Sequence, residues 1–303
     1  TVPSVVTGGE LIMTTERPVR TVGVVGCGIM GGGIAQICVT HGFDTVVVEA
    51  DEDRLEHGLA QVRGRLARDV ERGRLSQERH DRALQRLHGA TSLESLADRD
   101  LVLEAIVEDI AAKRPLFEQL GKIAAPDTIL ASNTSSLAVS ELAGASGRPD
   151  RVLGLHFFNP PTVLRLLEVI VPSSTSEETV ARAMEFCDSI DRVTVRVQDT
   201  PGFIVNRLLV PFIYDAIRMV EAGVATAEDI DQGCKMGLNH AMGPLATADL
   251  VGLDTLAAIG DAMFESFGEP RFKPPTILRR MISLGKLGRK SGQGFFDYTR
   301  QEA

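Results

Sequence analysis

Cysteine is scarce in this sequence. The chain has four cysteines in 303 residues, with no Cys-x-x-Cys pair and no regular spacing. These are Cys27, Cys38, Cys187 and Cys234. Neither a disulfide framework nor a zinc site is therefore indicated, and we predict no metal. A reducing compartment is the simpler interpretation, so we expect a cytoplasmic protein.

An excess of positive charge is also absent. The 41 acidic residues outnumber the 32 basic ones and give a formal net charge of -9. Such a charge opposes nonspecific attraction to phosphate backbones and anionic membranes, so we expect no nucleic acid and no membrane partner. The most apolar stretch, residues 22–39, contains six glycines and a glutamine. That composition favours a strand, a turn and a helix over a membrane span.

The N-terminal residues lack the pattern of a secretory signal. Residues 1–13, "TVPSVVTGGELIM", have no basic region followed by an apolar core and a small-residue cleavage site. Met13 is a candidate natural start, in which case residues 1–12 are foreign to the natural chain.

The distribution of strand and helix patterns predicts two domains. Residues 20–26 and 43–50 are β-branched runs on either side of a glycine-rich turn and a helical period, which together indicate a βαβ unit and a parallel sheet. Further strand candidates are residues 100–106, 128–133, 151–158 and 192–197. After residue 198 the strand signal disappears. We therefore predict an α/β fold with a Rossmann-type doubly wound sheet over residues 14–198, followed by an all-α C-terminal domain over residues 199–303.

Residues 51–90 are charged, arginine-rich and helical in period, and we interpret them as a helical hairpin inserted between strands. Gly73 and Ser76 indicate a turn and a new helix start. Two readings of the hairpin remain open at this point. It is either a solvated pair of amphipathic helices or a surface that attracts an anionic substrate tail.

The turn after the first strand carries a dinucleotide-binding motif. "GCGIMG" at residues 26–31 fits G-x-G-x-x-G between a predicted strand and a predicted helix, the context that the motif requires. Its glycines allow a tight turn, a close approach of pyrophosphate and close packing of helix on sheet. The predicted coenzyme contacts in this loop are Gly26, Gly28, Ile29, Met30 and Gly31.

Glu49 ends the second predicted strand. An acidic residue there can accept hydrogen bonds from the adenosine ribose hydroxyls, and its charge repels a 2′-phosphate. We therefore predict NAD as the coenzyme, in preference to NADP.

A histidine lies at the end of an apolar run in "RVLGLHFFNPP", residues 151–161. On these residues alone, His156 is either a buried structural imidazole or a proton carrier. If the chain turns at residues 159–161 and returns as a neighbouring strand, His156 can meet Glu168 in "RLLEVIV". A His-Glu pair holds one imidazole tautomer and stabilises the imidazolium. The alternative is that Glu168 lies at a sheet edge in solvent.

Two more polar positions lie in apolar surroundings. Ser135 belongs to "ASNTSS", residues 131–136, which follows a predicted strand and should emerge at the carboxyl edge of the sheet. Asn206 in "GFIVNRLL" should lie on the first helix of the second domain. Either position also fits capping or turn chemistry, and we assign the serine only hydrogen bonding.

Six motifs in order resemble the 3-hydroxyacyl-CoA dehydrogenases, particularly the short bacterial 3-hydroxybutyryl-CoA type. These are "VGVVGCGIMGGGIAQ", "LVLEAIVED", "ILASNTSSL", "GLHFFNPP" with "LLEV", "DTPGFIVNRLLVP" and "MGPL". The resemblance runs from about residue 20 to "GRKSGQGFFDY" near the C-terminus. It implies NAD, an acyl-CoA thioester substrate and a homodimer formed by the helical domain.

The resemblance also implies roles for individual residues. His156 matches the catalytic base and Glu168 its partner, while Ser135 and Asn206 match residues that hydrogen-bond substrate oxygens. The hairpin matches the part of the family fold that covers the coenzyme A tail, where Arg65 and Arg72 are the predicted substrate contacts. Positions that match the surroundings of the nicotinamide ribose are Glu108, Lys113, Asn133 and Asn159.

The sequence departs from the family near the expected substrate pocket. Pro161 and Thr162 follow "HFFNP", and Ala241 replaces the usual proline of "NHPMGPL". The same chemistry on an acyl-carrier-protein thioester or a free 3-hydroxy acid therefore remains open, as does an NAD-binding protein without turnover. The β-hydroxyacid dehydrogenases are a more distant rival, but the place of their catalytic lysine holds Gly202 here.

Overall fold

The structure is a computed structural model that describes residues 18–299. The interpretations of residues 1–13, including Met13 as a natural start, lie outside these residues. One eight-stranded sheet forms the centre of the N-terminal part. Its strands are β1 (Thr21–Val25), β2 (Asp44–Val48), β3 (Leu87–Ala90), β4 (Leu101–Glu104), β5 (Ile129–Ser132), β6 (Val152–Phe157), β7 (Leu166–Val171) and β8 (Val193–Gln198).

The strand order is β3-β2-β1-β4-β5-β6-β7-β8. The order reverses between β1 and β4, which is the point where α/β sheets of this kind bind ligands. Neighbouring strands are parallel except for β6 and β7, which are antiparallel. A short turn after β6 returns the chain directly as β7, because antiparallel neighbours need no crossover.

Helices cover both faces of the sheet and form the C-terminal domain. They are α1 (Ile29–Thr40), α2 (Glu52–Glu71), α3 (Gln77–Gln85), α4 (Ile110–Ile123), α5 (Val139–Ser146), α6 (Glu177–Ser189), α7 (Val205–Glu221), α8 (Ala227–Gly237), α9 (Pro244–Val251), α10 (Leu253–Phe267) and α11 (Thr276–Ser283). One core joins the sheet to α1, α2 and α6, and a second core joins the opposite face to α4 and α5. These two cores confirm the doubly wound fold.

The predicted helical hairpin is present as α2 and α3. Ser76 caps α3 by accepting a hydrogen bond from the Arg79 amide, and Gly73 lies in the turn before it. The apolar side of α2 is buried against the sheet and α1, through Leu55, Leu59 and Val62 among others. The hairpin is therefore part of the sheet's cover, with a charged outer side.

One part of the hairpin prediction is wrong. Residues 87–90, which were included in the helical stretch, form the edge strand β3 and pair in parallel with β2. The segment is "LHGA", four residues with a single buried leucine. Its strand conformation depends on hydrogen bonds to β2, a contact that no local pattern reveals.

The C-terminal domain has a core of its own, formed by α7 to α11 and the segment after them. Asp249 holds that last segment, because its carboxylate accepts hydrogen bonds from the amides of Phe295 and Phe296 and from the Tyr298 hydroxyl. Among the helices of residues 18–299, none is long and apolar enough to cross a membrane.

All four cysteines are free thiols, in agreement with the expected lack of disulfides. Burial raises the pKa of Cys27 to about 11 and that of Cys38 to about 12. A thiol needs its thiolate form to react, so these cysteines contribute packing and little reactivity.

Candidate active site

The carboxyl ends of the central strands carry the candidate functional residues. The glycine loop follows β1, Glu49 follows β2, the "ASNTSS" loop leaves β5, and His156 lies near the end of β6. Parallel strands end at one edge of a sheet, so the topology brings these segments to the same side of the molecule.

The glycine loop has the geometry of an anion-binding turn. Gly26 has φ +94°, a conformation that favours glycine, and its amide donates to the Val48 carbonyl at 2.8 Å. A Cβ atom on Gly31 would collide with the Gly26 carbonyl oxygen, so only glycine lets α1 approach the loop this closely. Gly28 begins α1 without a side-chain cap and has no atom within 4 Å of where a Cβ would stand. The start of α1 therefore has no side-chain cap and leaves room for a ligand beside Gly28, as a pyrophosphate site requires.

Glu49 is fixed beside this loop. One carboxylate oxygen accepts a hydrogen bond from the Cys27 amide at 2.6 Å, and the other accepts from the Ala50 amide at 3.2 Å. The side chain is half-buried, with its remaining lone pairs available to hydroxyl groups. Its contact with the adenosine ribose stays a prediction that this position supports.

His156 and Glu168 meet across neighbouring strands. They are register partners in the antiparallel pair β6 and β7, and His156 Nδ1 lies 2.7 Å from Glu168 Oε2. Both side chains are buried. A carboxylate can only accept, so Nδ1 carries a proton, and in the neutral imidazole the lone pair is therefore on Nε2. The chain turns after β6 and returns as β7 in the antiparallel register that produces the predicted contact.

Glu168 also reaches the second domain. Its Oε1 accepts hydrogen bonds from the amides of Ile204 and Val205, each at 3.0 Å, at the start of α7. Burial opposes ionisation of this carboxyl, but hydrogen bonds from His156 and from the Val205 and Ile204 amides outweigh it and lower the pKa of Glu168. The pair therefore holds a carboxylate at neutral pH.

Two phenylalanines border the imidazole. The ring centroid of Phe158 lies 4.6 Å from that of His156, and the ring centroid of Phe203 lies 5.6 Å from it. Phe203 has φ +49°, uncommon for a residue with a side chain, and immediately precedes the amides that bind Glu168. Apolar rings beside a hydrogen-bonded imidazole restrict its rotation and exclude water from that side.

Ser135 lies at the free side of the imidazole. Its Oγ is 3.1 Å from His156 Nε2, and its carbonyl accepts a hydrogen bond from Asn206 Nδ2 at 3.4 Å. Asn206 is on the first turn of α7, as predicted. The structure therefore brings together His156, Glu168, Ser135 and Asn206, and their individual roles remain predictions.

Glu108 holds the loop that carries Ser135. Its Oε1 accepts hydrogen bonds from Thr134 Oγ1 at 2.6 Å and from the Ser135 amide at 2.7 Å. Burial opposes its ionisation, but the charge of Lys113 and these hydrogen bonds outweigh that effect and lower the pKa of Glu108. Lys113 is fully buried behind it, 3.1 Å from Glu108 Oε2.

The two asparagines predicted near the nicotinamide ribose have different surroundings. Asn133 Oδ1 accepts a hydrogen bond from the Phe157 amide at 2.8 Å, which ties the end of β5 to the residue after His156. Asn159 is exposed in the turn between β6 and β7. The contacts of both asparagines with the coenzyme remain predictions.

The arginines of the hairpin are not among the residues around His156. Arg65 turns towards α1, where its Nε donates to Gln36 Oε1 at 3.0 Å and its guanidinium lies beside Gly32. Arg72 is exposed immediately after α2. Their contact with a substrate tail stays a prediction, because the contacts between His156 and Glu168 give no information about it.

Two buried or bridging carboxylates were missed from the sequence. Glu104, the last residue of β4, is fully buried with Lys113 as its cation. Asp199 accepts hydrogen bonds from the Val139 and Ser140 amides and so caps α5. Both residues lie inside quoted motifs, Asp199 in "DTPGFIVNRLLVP" and Glu104 in "LVLEAIVED", but nothing local distinguishes Glu104 from an exposed strand end. Within residues 18–299, no group of three or more His, Cys, Asp or Glu is placed to hold a metal ion.

Two family models match most of the chain. Residues 21–200 match the model described as 3-hydroxyacyl-CoA dehydrogenase, NAD binding domain. Residues 202–298 match the model described as 3-hydroxyacyl-CoA dehydrogenase, C-terminal domain.

Individual relatives agree with these matches. A 3-hydroxybutyryl-CoA dehydrogenase of Mycobacterium tuberculosis is 48% identical over 92% of this chain and 99% of its own length. The crystal structure of (S)-3-hydroxybutyryl-CoA dehydrogenase from Ralstonia eutropha has a TM-score of 0.90 and 39% identity, covering 93% of this chain and 100% of that one. A crystal structure of M. tuberculosis FadB2 has a TM-score of 0.91 and 47% identity, again covering 93% of this chain and 100% of that one.

Proposed function

This chain belongs to the 3-hydroxyacyl-CoA dehydrogenase family, and from that membership we propose that it uses His156 as the general base in oxidising a short-chain 3-hydroxyacyl-CoA to the 3-ketoacyl-CoA. The enzyme is an NAD-dependent oxidoreductase. The observation that carries the assignment of the base is the chain of contacts from Ser135 through His156 to Glu168.

The site residues fit the coenzyme. NAD, when bound, supplies the acceptor for the hydride that leaves C3 of the substrate. The glycine loop offers uncapped α1 amides to the pyrophosphate, and Glu49 stands beside it to accept from ribose hydroxyls. Its charge also disfavours a 2′-phosphate.

The imidazole of His156 accepts the proton of the reacting hydroxyl. Nε2 has the lone pair, so it takes the proton of the C3 hydroxyl, and Glu168 then stabilises the imidazolium through Nδ1. The start of α7 holds Glu168 from behind, so the base keeps its orientation as its charge changes. In the reverse direction the imidazolium returns the proton to the substrate oxygen.

Ser135 and Asn206 orient the substrate. Ser135 Oγ, 3.1 Å from Nε2, borders the place that the reacting hydroxyl must occupy. Asn206 comes to the same loop from the second domain. A hydroxyl and an amide can both hydrogen-bond hydroxyl or carbonyl oxygens, so together they suit a 3-hydroxyacyl group and its ketone product.

The test is NADH oxidation by the wild-type protein with acetoacetyl-CoA, free acetoacetate and an acetoacetyl carrier protein. We expect the CoA thioester to give the highest kcat/KM, because relatives at 39% and 48% identity are named 3-hydroxybutyryl-CoA dehydrogenases. Higher kcat/KM for the free acid would overturn the thioester assignment, and preference for the carrier protein would overturn coenzyme A as the carrier.

We also propose a homodimer in the cytoplasm, with the domain boundary near residue 198. The last strand ends at Gln198 and α7 begins at Val205, which supports a boundary between them. Exposed apolar side chains on the helical domain, including Leu208, Met236 and Leu238, support a subunit contact there. We expect light scattering to give the mass of a dimer, and the mass of a monomer would contradict the proposal.

The four free thiols suit a reducing compartment, in support of the proposed cytoplasmic location.

A further inference from the structure

A buried ionic cluster lies behind the loop that carries Ser135. Lys113 Nζ is 2.8 and 3.0 Å from the two carboxylate oxygens of Glu104 and 3.1 Å from Glu108 Oε2. Glu104 and Lys113 are both fully buried. We call Glu104, Lys113 and Glu108 the buried anchor.

Packing alone does not require charged side chains at the buried anchor. Apolar side chains of similar volume fill such a place without a desolvation cost, so a buried ion pair is weak evidence for a contribution to stability. The oxygen atoms of the two carboxylates, in contrast, make specific contacts that apolar side chains cannot make. Those contacts indicate what the anchor does.

The carboxylates of Glu104 and Glu108 accept hydrogen bonds from different residues at the ends of β4 and β5 and in the loops that follow them. Glu104 accepts hydrogen bonds from Ser132 Oγ at 2.6 Å and from the Ile106 amide at 2.7 Å. Glu108 accepts from Thr134 Oγ1 and from the amides of Ser135 and Ser136. Lys113 joins the two carboxylates, so the end of β5 and the loop after it are tied to one ammonium group.

We propose that Glu104 and Lys113 are positioning residues for the reaction, which act through Glu108 to hold Ser135 against His156. The inference rests on the proposed function of the His156 site. Ser135 Oγ lies 3.1 Å from His156 Nε2, and a shift of about 1 Å at such a contact can cost on the order of 100-fold in rate. The rate that a rigid loop preserves therefore outweighs the desolvation cost of burying these charges.

A different role for Lys113 makes a different prediction. The family resemblance places Lys113 near the nicotinamide ribose, yet its side chain is 1% exposed and that of Glu108 is 38% exposed. A coenzyme ligand changes the Kd of NADH when it is removed. A positioning residue changes kcat and the mobility of the loop, and leaves the Kd of NADH nearly unchanged.

The main variant removes both buried charges together. Lys113→Met alone leaves Glu104 buried without its cation and endangers folding, so Glu104→Gln/Lys113→Met is the variant of choice. Arg114→Met is the matched control, since it makes the same cation-to-thioether change one residue along α4, where Arg114 forms an exposed ion pair with Glu141.

The measurements are kcat and KM with acetoacetyl-CoA, the Kd of NADH, the isotope effect with deuterated NADH, and amide hydrogen exchange of residues 133–137. For the double variant we expect kcat to fall by roughly 10- to 100-fold, a larger isotope effect as hydride transfer becomes rate-limiting, and faster exchange in the loop. The NADH Kd should stay close to that of wild type. Arg114→Met should match wild type throughout.

Three results would overturn the proposal. These are an unchanged kcat, unchanged loop exchange, or a weakened NADH Kd with kcat intact at saturation, the last of which would make Lys113 a coenzyme ligand. If the double variant does not fold, Ser132→Ala removes one hydrogen bond to Glu104 and must still speed exchange in the loop. Amide exchange needs no turnover, so inactivity of the wild type on acetoacetyl-CoA would refute the proposed function separately.

Discussion

At the scale of single residues, His156 is buried between Glu168, which binds Nδ1, and Ser135, whose Oγ lies 3.1 Å from Nε2. An apolar stretch around a histidine fits a structural imidazole as well as a base. The contact with Glu168 supports the base, and it was predictable because Asn-Pro-Pro indicates a turn and twelve residues suffice for a hairpin return. The buried Glu104–Lys113 contact was not predictable, since a carboxyl at a strand end carries no sign of its burial.

Glu168→Gln tests the orientation of the base. The amide nitrogen of glutamine donates instead of accepting, so it favours the wrong imidazole tautomer and cannot stabilise the imidazolium. We expect kcat for acetoacetyl-CoA reduction to fall by roughly 10²- to 10⁴-fold with little change in the Kd of NADH.

The measurement is steady-state kinetics beside NADH titration. Glu118→Gln, an exposed change on α4, is the control and should behave as wild type. A Glu168→Gln enzyme with wild-type kcat would show that the carboxylate has only a structural role.

At the scale of elements, strands with continuous β-branched runs were predictable and the edge strand β3 was not. β1 and β2 have buried valines on both faces, as strands inside a covered parallel sheet do. β3 has one buried residue among four and follows an arginine-rich helix without a clear break. Its pairing with β2 joins positions that are about forty residues apart along the chain, which a local pattern cannot encode.

Gly31→Ala tests the junction of β1, the glycine loop and α1. The added methyl group would collide with the Gly26 carbonyl oxygen, so α1 must move away from the loop. We expect NADH binding to weaken at least about tenfold, which corresponds to about 1.4 kcal/mol, together with a lower melting temperature.

Gly144→Ala is the matched control. Gly144 lies inside α5 with no atom within 4 Å of the added methyl group, so alanine should leave NADH binding unchanged and stabilise the helix by about 0.5–1 kcal/mol. Isothermal titration and thermal unfolding measure both quantities. Equal NADH affinity in the two variants would contradict the role given to the loop.

At the scale of the whole molecule, Glu168 joins the two domains. Glu168 belongs to strand β7 of the sheet. One of its carboxylate oxygens binds the imidazole of His156, and the other binds the backbone amides at the start of α7. The helical domain therefore helps to hold Glu168 against the imidazole, and under the proposed mechanism catalysis depends on how the domains are joined. That dependence could not be read from the sequence, because Ile204 and Val205 contribute backbone amides, which any residue except proline has.

The depressed pKa of Glu168 predicts how stability changes in acid. A carboxyl with a lower pKa in the folded state binds fewer protons than in the unfolded chain, so falling pH favours unfolding. The contribution is fully present above the ordinary glutamate pKa of 4.5 and is lost as the pH falls through the lower folded value.

Urea unfolding at a series of pH values measures this effect. Wild type should lose stability more steeply than Glu168→Gln as the pH falls below about 4.5. Glu118→Gln should retain the wild-type slope. Parallel curves for wild type and Glu168→Gln would show that the carboxylate gains no net stabilisation from His156 and α7.

The most direct test of His156 as the general base is the rate of NADH oxidation with acetoacetyl-CoA in the wild type, His156→Ala and His88→Ala. His88 is an exposed histidine of β3 and serves as the control, and equal NADH affinity in all three proteins verifies that the coenzyme site is intact. If His156 is the general base, we expect wild-type kcat for His88→Ala and a loss of roughly 10²- to 10⁴-fold for His156→Ala. Wild-type turnover by His156→Ala would contradict it, because no general base would then be needed at that position.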